Sequence, residues 1–368
     1  MIGRQHAKPV YVLASGGTGG HLFPALSLGD YFTSKGRRVF LVTDERGAKF
    51  PGGTFFDKIF VVNINRKAPF FKKFVFYTSL VLQTLRCLLI YRKIRPSIVV
   101  GFGGYSSAPA VYAAQILGIP TIVHEQNAIL GRANRFLAKR AYRVATSFPN
   151  TRGAPPHSVV TGNPVRPNIL SLKDCPYTPP DPNEPFNLLI IGGSQGAKIF
   201  SEVIPNTLTH LPLNIQKRLK VAQQCRPEYV TKTQSFYRQS FLDVEVKSFF
   251  DDMDERYKAA HLIIARSGAS TVAELSIVGR PAILVPFAAA LESDQTYNAE
   301  RLVAAGAAWM IGEKEFTPET LGKKLEELMT HPEPLQDVAA AVRKFSYPDA
   351  SKNLANNVAQ IVSDLLTI

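Results

Sequence analysis

The string Ser15-Gly16-Gly17-Thr18-Gly19-Gly20-His21 follows a short apolar run, Val10 to Ala14, and leads to Pro24, a residue favoured where a helix opens. Glycines let the backbone approach an anion, and the N–H groups of a helix N-terminus can hold a phosphate or diphosphate. Counting i, i+2 and i+5 from Gly17 puts Leu22 in the last place, and no Walker lysine follows, which disfavours nicotinamide and P-loop chemistry. A tight strand-to-helix turn needing φ > 0 is the plainer reading of the same glycines. His21 either caps that helix or, at the carboxyl edge of a sheet beside an anion, serves as a general base.

Two further glycine loops follow apolar runs: Gly101-Phe102-Gly103-Gly104-Tyr105-Ser106-Ser107 and Gly192-Gly193-Ser194-Gln195-Gly196-Ala197. Open α/β sheets bind ligands beyond the carboxyl ends of their strands, so loops of this kind on two sheets predict a cleft between domains with phosphates on each side. In Ala265-Arg266-Ser267-Gly268-Ala269-Ser270-Thr271-Val272-Ala273-Glu274, hydroxyl donors and a helix dipole suit a diphosphate, and the carboxylate can accept both ribose hydroxyls. An ordinary capped helix reads equally well there. His124-Glu125-Gln126-Asn127 is more polar than a turn needs, and Asp294-Gln295-Thr296-Tyr297-Asn298-Ala299 suits sugar hydroxyls, since a carboxamide both donates and accepts.

The segment from Arg66 to Tyr77 interleaves Lys67, Lys72 and Lys73 with Phe70, Phe71 and Phe74, then runs into Leu80, Val81, Leu82, Leu85, Leu88 and Leu89. Apolar residues occupy most of the helix circumference, more than packing on one sheet requires, which predicts a peripheral patch for anionic headgroups. Two other readings stay open: a helix buried between neighbours with solvated lysines, and a platform for stacked bases. No RNA-binding signature accompanies the latter, so no nucleic-acid partner is expected.

The elements that must position these strings follow from length and composition. At about 150 residues per domain, 368 residues predict two or three domains. With 45% hydrophobic and 20% charged residues the chain is expected to be folded and soluble, and a net charge of +14 favours anionic partners. The three cysteines, Cys87, Cys175 and Cys225, form no CxxC pair, which suggests a reducing compartment and neither a disulfide framework nor a zinc site. No signal-peptide core and no uninterrupted apolar span of about 20 residues is expected.

Short β-branched runs alternating with helical patterns predict parallel βαβ units, hence an α/β fold. One set of strands spans Val10–Ala14, Val39–Thr43, Ile98–Gly101, Thr121–His124, Val144–Thr146 and Val159–Thr161. The pattern restarts with Leu188–Ile191, Val221–Gln223, Glu245–Ser248, Leu262–Ala265 and Ala282–Val285. The prolines from Cys175 to Pro185 predict a surface connection, and Leu354, Val358, Ile361 and Leu365 predict a terminal helix. The expected domains are residues 1–164 with 351–368, and 165–350.

Gly16-Gly17-Thr18-Gly19-Gly20-His21, Gly103-Gly104-Tyr105, His124-Glu125-Gln126-Asn127, Gly162-Asn163-Pro164-Val165-Arg166, Gly192 to Ala197, Arg266-Ser267-Gly268-Ala269 and Gln295 with Asn298-Ala299, in this order, resemble the bacterial peptidoglycan N-acetylglucosaminyltransferases of glycosyltransferase family 28. The resemblance covers nearly the whole chain. It implies a glycosyltransferase B fold: two Rossmann-like doubly wound domains, an interdomain cleft, and a C-terminal helix crossing back to the first domain. It implies inverting transfer of GlcNAc from UDP-GlcNAc to the 4-hydroxyl of the muramoyl sugar of lipid I, giving lipid II at the cytoplasmic face of the cell membrane. No cofactor or metal is implied.

By motif position, His21 is the expected base, with Glu125 as competitor or orienting partner. Thr18, Gly19, Gly20, Asn127, Arg166, Ser194, Ala269, Ser270, Thr271, Val272, Ala273, Glu274 and Gln295 would contact the donor. Phe250 would present its backbone to the uracil, although many relatives carry an aliphatic residue there. Gly16, Gly17, Gly103, Gly104 and Tyr105 would face the acceptor diphosphate. Lys67, Phe70, Phe71, Lys72, Lys73 and Phe74 would meet the membrane.

Overall fold

A computed structural model of the chain describes residues 9–64, 72–193, 196–238, 240–288 and 293–366. The chain divides into two compact units after Arg166, with the residues that follow Pro348 returning to the first.

The first unit runs β1 (Val10–Ala14), α1 (Gly19–Ser34), β2 (Arg38–Thr43), α2 (Glu45–Ala48), β3 (Lys58–Val61), α3 (Lys72–Ile94) and β4 (Ile98–Gly101). It continues through α4 (Ser107–Ile116), β5 (Thr121–Glu125), α5 (Arg132–Ala138), β6 (Arg143–Thr146) and β7 (Val159–Val160). The seven strands are parallel in the order β3-β2-β1-β4-β5-β6-β7. Both faces of a parallel sheet are covered, so its central strands are apolar at every position, as β1 is. The strand order reverses between β1 and β4, and loops leaving two such strands diverge to open a crevice at their carboxyl ends.

The second unit runs α6 (Pro167–Leu170), β8 (Phe186–Ile191), α7 (Lys198–Thr209), α8 (Leu213–Gln216), β9 (Leu219–Gln224), α9 (Val230–Tyr237) and β10 (Asp243–Lys247). Next come α10 (Met253–Ala259), β11 (Leu262–Ala265), α11 (Ala269–Val278), β12 (Ala282–Leu284), α12 (Asp294–Val303), β13 (Trp309–Met310), α13 (Pro318–Thr330) and α14 (Glu333–Arg343). Its parallel order is β10-β9-β8-β11-β12-β13, with the reversal between β8 and β11. Phe200, Ile204 and Leu208 of α7 and Leu321, Leu325 and Leu328 of α13 recur every three or four residues and bury one helix face each against Leu188 and Ile190.

The last helix, α15 (Ala350–Leu366), belongs to the first unit. Leu354, Val358 and Ile361 are fully buried in one cluster with Leu22 and Leu28 of α1, each contributing about 1.5–3 kcal/mol. Arg143 adds a 2.6 Å hydrogen bond to Asn357.

One expectation needs correction, and two strands were not expected. The first helix begins at Gly19, not Pro24; the opening N–H groups of a helix need no internal partner, so Gly19 and Gly20 fit its first turn and Pro24 lies inside it. Strands β3 and β13, not among the expected strands, are short and lie outermost in their sheets, with side chains exposed or half-buried rather than enclosed on both faces. The proline segment Cys175–Pro185 lacks helix and strand, and is tied down by Arg218, which donates to the carbonyls of Asp181 and Glu184.

Candidate functional site

In the first unit the polar residues gather at the β1/β4 reversal. His21 stands in the first turn of α1, half-buried. Gly103 and Gly104 after β4 take φ +81° and +79°, a region that favours glycine, and a Cβ on Gly104 would lie 3.2 Å from the His21 ring. Glycine loops thus wall the imidazole without covering it.

His21 Nδ1 lies 3.1 Å from Gln126 Oε1. Gln126 is buried, and its Nε2 lies 2.9 Å from His124 Nδ1 and 3.1 Å from the His124 carbonyl. His124 is fully buried, with Nε2 3.0 Å from the Gly162 carbonyl, and burial pushes its pKa down to about 4. Sequence reasoning gave no role to Gln126. The signal was the period of a strand, which places residues i and i+2 on one side and Glu125 on the other.

Glu125, named as competing base or orienting partner, is buried and holds its own loop. Oε1 accepts from Asn127 N and Nδ2 at 3.0 and 3.1 Å, and Oε2 from Gly131 N and Asn134 Nδ2 at 3.0 and 2.8 Å. Four N–H donors thus converge on one carboxylate, which suits an orienting role. Glu125 holds the loop from Asn127 to the start of α5.

The backbone N–H groups of Gly16 and Gly17, expected to face the acceptor diphosphate, have protein partners in the structure. Gly16 N donates to Gly103 O at 3.0 Å, and Gly17 N to Asp44 Oδ2 at 3.1 Å. Asp44 also accepts from Gly47 N and Ser106 Oγ, and these bonds, outweighing its burial, hold its carboxyl below the usual range. An aspartate that directly follows a strand and opens a helix was the sequence signal. Thr18 caps α1 in an extended conformation, and Gly19 and Gly20 form its first turn. Tyr105 is half-exposed and packs edge-on against Phe76, and the Arg166 guanidinium lies 4.8 Å from the ring centre of Phe23.

On α3, Thr84, Cys87 and Tyr91 are buried, whereas Tyr77, Val81, Leu82, Leu85 and Leu89 are 52–66% exposed. The helix is therefore apolar on its outer face as well, beside exposed Arg86, Arg92 and Lys93. Lys67, Phe70 and Phe71, and the side chains of Lys72, Lys73 and Phe74, lie outside the described residues.

In the second unit the β8/β11 reversal carries the other set. Gly193 and Gly196 take φ +80° and +68°, and Gly192 N donates to Gln224 at 3.0 Å; Ser194 and Gln195 lie outside the described residues. Gly268 stands at the N-terminus of α11. Ala269 and Val272 face the core, so Ser270, Thr271 and Ala273 hold the accessible side chains while Ala269 and Val272 can offer only backbone. The buried Glu274 carboxylate accepts from Tyr257 OH at 3.0 Å. Phe250 is buried under Arg256, whose guanidinium lies 3.8 Å from the ring centre.

Here too side chains fix the loops. Ser267 Oγ donates to Gln295 O at 2.8 Å, Asn298 Nδ2 to Ser267 O at 3.0 Å, and Phe287 N to Gln295 Oε1 at 3.0 Å. Arg266 binds the Val285 and Pro286 carbonyls and pairs with Glu313 at 2.7 Å. Among the described residues no group of three or more His, Cys, Asp or Glu is placed to hold a metal ion.

The glycosyltransferase family 28 N-terminal domain model matches residues 11–146, and the family 28 C-terminal domain model residues 187–354. A protein of Paramagnetospirillum magneticum named UDP-N-acetylglucosamine–N-acetylmuramyl-(pentapeptide) pyrophosphoryl-undecaprenol N-acetylglucosamine transferase is 44% identical over 361 residues, 96% of this chain and 97% of its own. Its namesake from Zymomonas mobilis is 42% identical over 360 residues, 96% of this chain and 93% of its own. Among solved structures, Acinetobacter baumannii MurG is similar with a TM-score of 0.78 at 29% identity, covering 96% of this chain and 100% of that one.

Proposed function

The chain belongs to glycosyltransferase family 28, and from that premise we propose that it transfers GlcNAc from UDP-GlcNAc to lipid I, the muramoyl-pentapeptide diphosphoryl-undecaprenol, forming lipid II. The observation that carries this reading is identity of 44% running through 96% of the chain, both units included, to a relative named for that reaction.

The chemistry divides between the two reversals. Inversion is one in-line displacement: the 4-hydroxyl oxygen of the muramoyl sugar attacks the anomeric carbon, its proton leaves to a base, and UDP departs with the bonding pair. His21, walled by glycines and half-buried, is the base. The N-terminus of α1 receives the acceptor diphosphate. The N-terminus of α11, with Ser270 and Thr271, stabilises the diphosphate that leaves, and Glu274 takes the ribose. Gln295 and Asn298 shape the loop beside it.

The acceptor carries a polyprenyl tail, and the outer face of α3 supports peripheral binding at the cytoplasmic membrane surface. Exposed Val81, Leu82, Leu85 and Leu89 would enter the headgroup layer, while Arg86, Arg92 and Lys93 each add about 1 kcal/mol near anionic lipid. No helix among the described residues is long and apolar enough to cross a membrane.

The test is incubation of the purified protein with radiolabelled UDP-GlcNAc and a lipid I analogue in detergent. Label entering the lipid fraction only with the analogue present is expected. UDP-GlcNAc binding without transfer would overturn the acceptor half, and absence of binding the whole reading.

A further inference from the structure

A neutral imidazole carries its proton on one ring nitrogen and its lone pair on the other, so a histidine can act as a base only through the nitrogen left unprotonated. The side chains behind His21 decide which one that is. The chain of contacts starts at the Gly162 carbonyl, which can only accept, so the His124 Nε2 at 3.0 Å must be the donor. Burial keeps His124 neutral at physiological pH, and its Nδ1 is therefore an acceptor. Gln126 must turn its NH2 group toward that nitrogen at 2.9 Å. The His124 carbonyl, 3.1 Å from the same Nε2, imposes the same orientation independently. The Gln126 carbonyl oxygen then faces His21 Nδ1 at 3.1 Å and can only accept.

We propose that Gln126 is a positioning residue that fixes the tautomer of His21, holding the proton on Nδ1 and leaving the lone pair on Nε2, the nitrogen that would take the acceptor proton. Two backbone carbonyls, of Gly162 and His124, set the polarity, and Gln126 transmits it. A carboxamide does here what a buried carboxylate does for other catalytic histidines, without placing a negative charge beside an anion-binding helix terminus. The inference rests on the reading of His21 as the base.

The test is nitrogen-15 NMR of ring-labelled histidine in the full-length protein near neutral pH, together with steady-state kinetics. Wild-type His21, assigned by its loss in His21→Ala, is expected as the Nδ1–H tautomer. Gln126→Met keeps the length of the side chain and removes both polar groups; the His21 signal is expected to shift toward the Nε2–H form and kcat to fall roughly 10- to 100-fold with little change in KM, within the 10²–10⁴ that a general base supplies. Gln126→Glu restores an oxygen facing His21, because one added proton shared between the introduced carboxyl and His124 Nδ1 bridges that pair. It is expected to return both the Nδ1–H signal and most of the turnover. An unchanged His21 tautomer in Gln126→Met, or a Gln126→Glu variant as impaired as Gln126→Met, would overturn the relay. Turnover persisting in His21→Ala would instead overturn the base assignment and leave the tautomer result standing, so the two failures are distinguishable.

Discussion

The two units place polar side chains at the carboxyl ends of their parallel strands, around the point where the strand order reverses, yet do different things with them. At β1/β4 the polar groups form a directed chain, from the Gly162 carbonyl through His124 and Gln126 to a histidine that remains half-exposed. At β8/β11 they close on themselves: Arg266 on Glu313, Ser267 on Gln295, Asn298 on Ser267. A chain that ends in a titratable ring can move a proton, whereas one that closes can only hold a shape. On the proposed reading, two copies of one architecture divide the work, the first unit serving proton transfer and the second holding the nucleotide sugar.

The contrast can be broken at several points. The largest effect is expected from His21→Ala, with kcat lower by about 10²–10⁴ in the transfer assay. Glu125→Ala removes an acceptor from four N–H groups and is expected to cost about 4 kcal/mol of folding stability in urea titration. A loss below about 1 kcal/mol would mean that the loop from Asn127 to α5 is held by something else.

His124 gives a pH dependence whose sign is fixed. Its pKa is about 4 in the folded chain against an ordinary 6.5, so between these values the unfolded chain binds a proton that the folded chain refuses. This contribution is complete above about pH 6.5 and is lost as pH falls toward 4, by at most about 3 kcal/mol. Comparing His124→Phe with the parent across that range should flatten the corresponding part of the stability curve.

The smallest stability effect is expected on α3. Leu82→Ser with Leu85→Ser should move stability by about 0.5 kcal/mol or less, since both side chains are more than half exposed, while reducing sedimentation with anionic liposomes. Unchanged sedimentation would retire that face as a membrane surface.

What was legible in the sequence was local. Val10–Ala14 and Leu262–Ala265 announce buried strands because both faces of a parallel sheet are covered, and Leu354, Val358 and Ile361 announce a helix by spacing alone. The glycines of the first loop gave its place but not its use. Gly17 N is taken by Asp44, 27 residues away, and no local pattern reports that. The Gly162 carbonyl that meets His124 Nε2 lies 38 residues beyond His124, and no local pattern reports that contact. Glu125 was legible as part of a polar cluster, but only the fold shows that it is buried and accepts from four N–H groups.

The division between the units is tested most directly by measuring kcat and UDP-GlcNAc affinity side by side for one variant at each reversal, His21→Ala and Gln295→Ala. We expect His21→Ala to lose turnover while binding UDP-GlcNAc nearly as the parent does, and Gln295→Ala to bind UDP-GlcNAc about tenfold more weakly while keeping most of its kcat. Donor affinity that collapses in His21→Ala, with turnover surviving at saturation, would contradict the account.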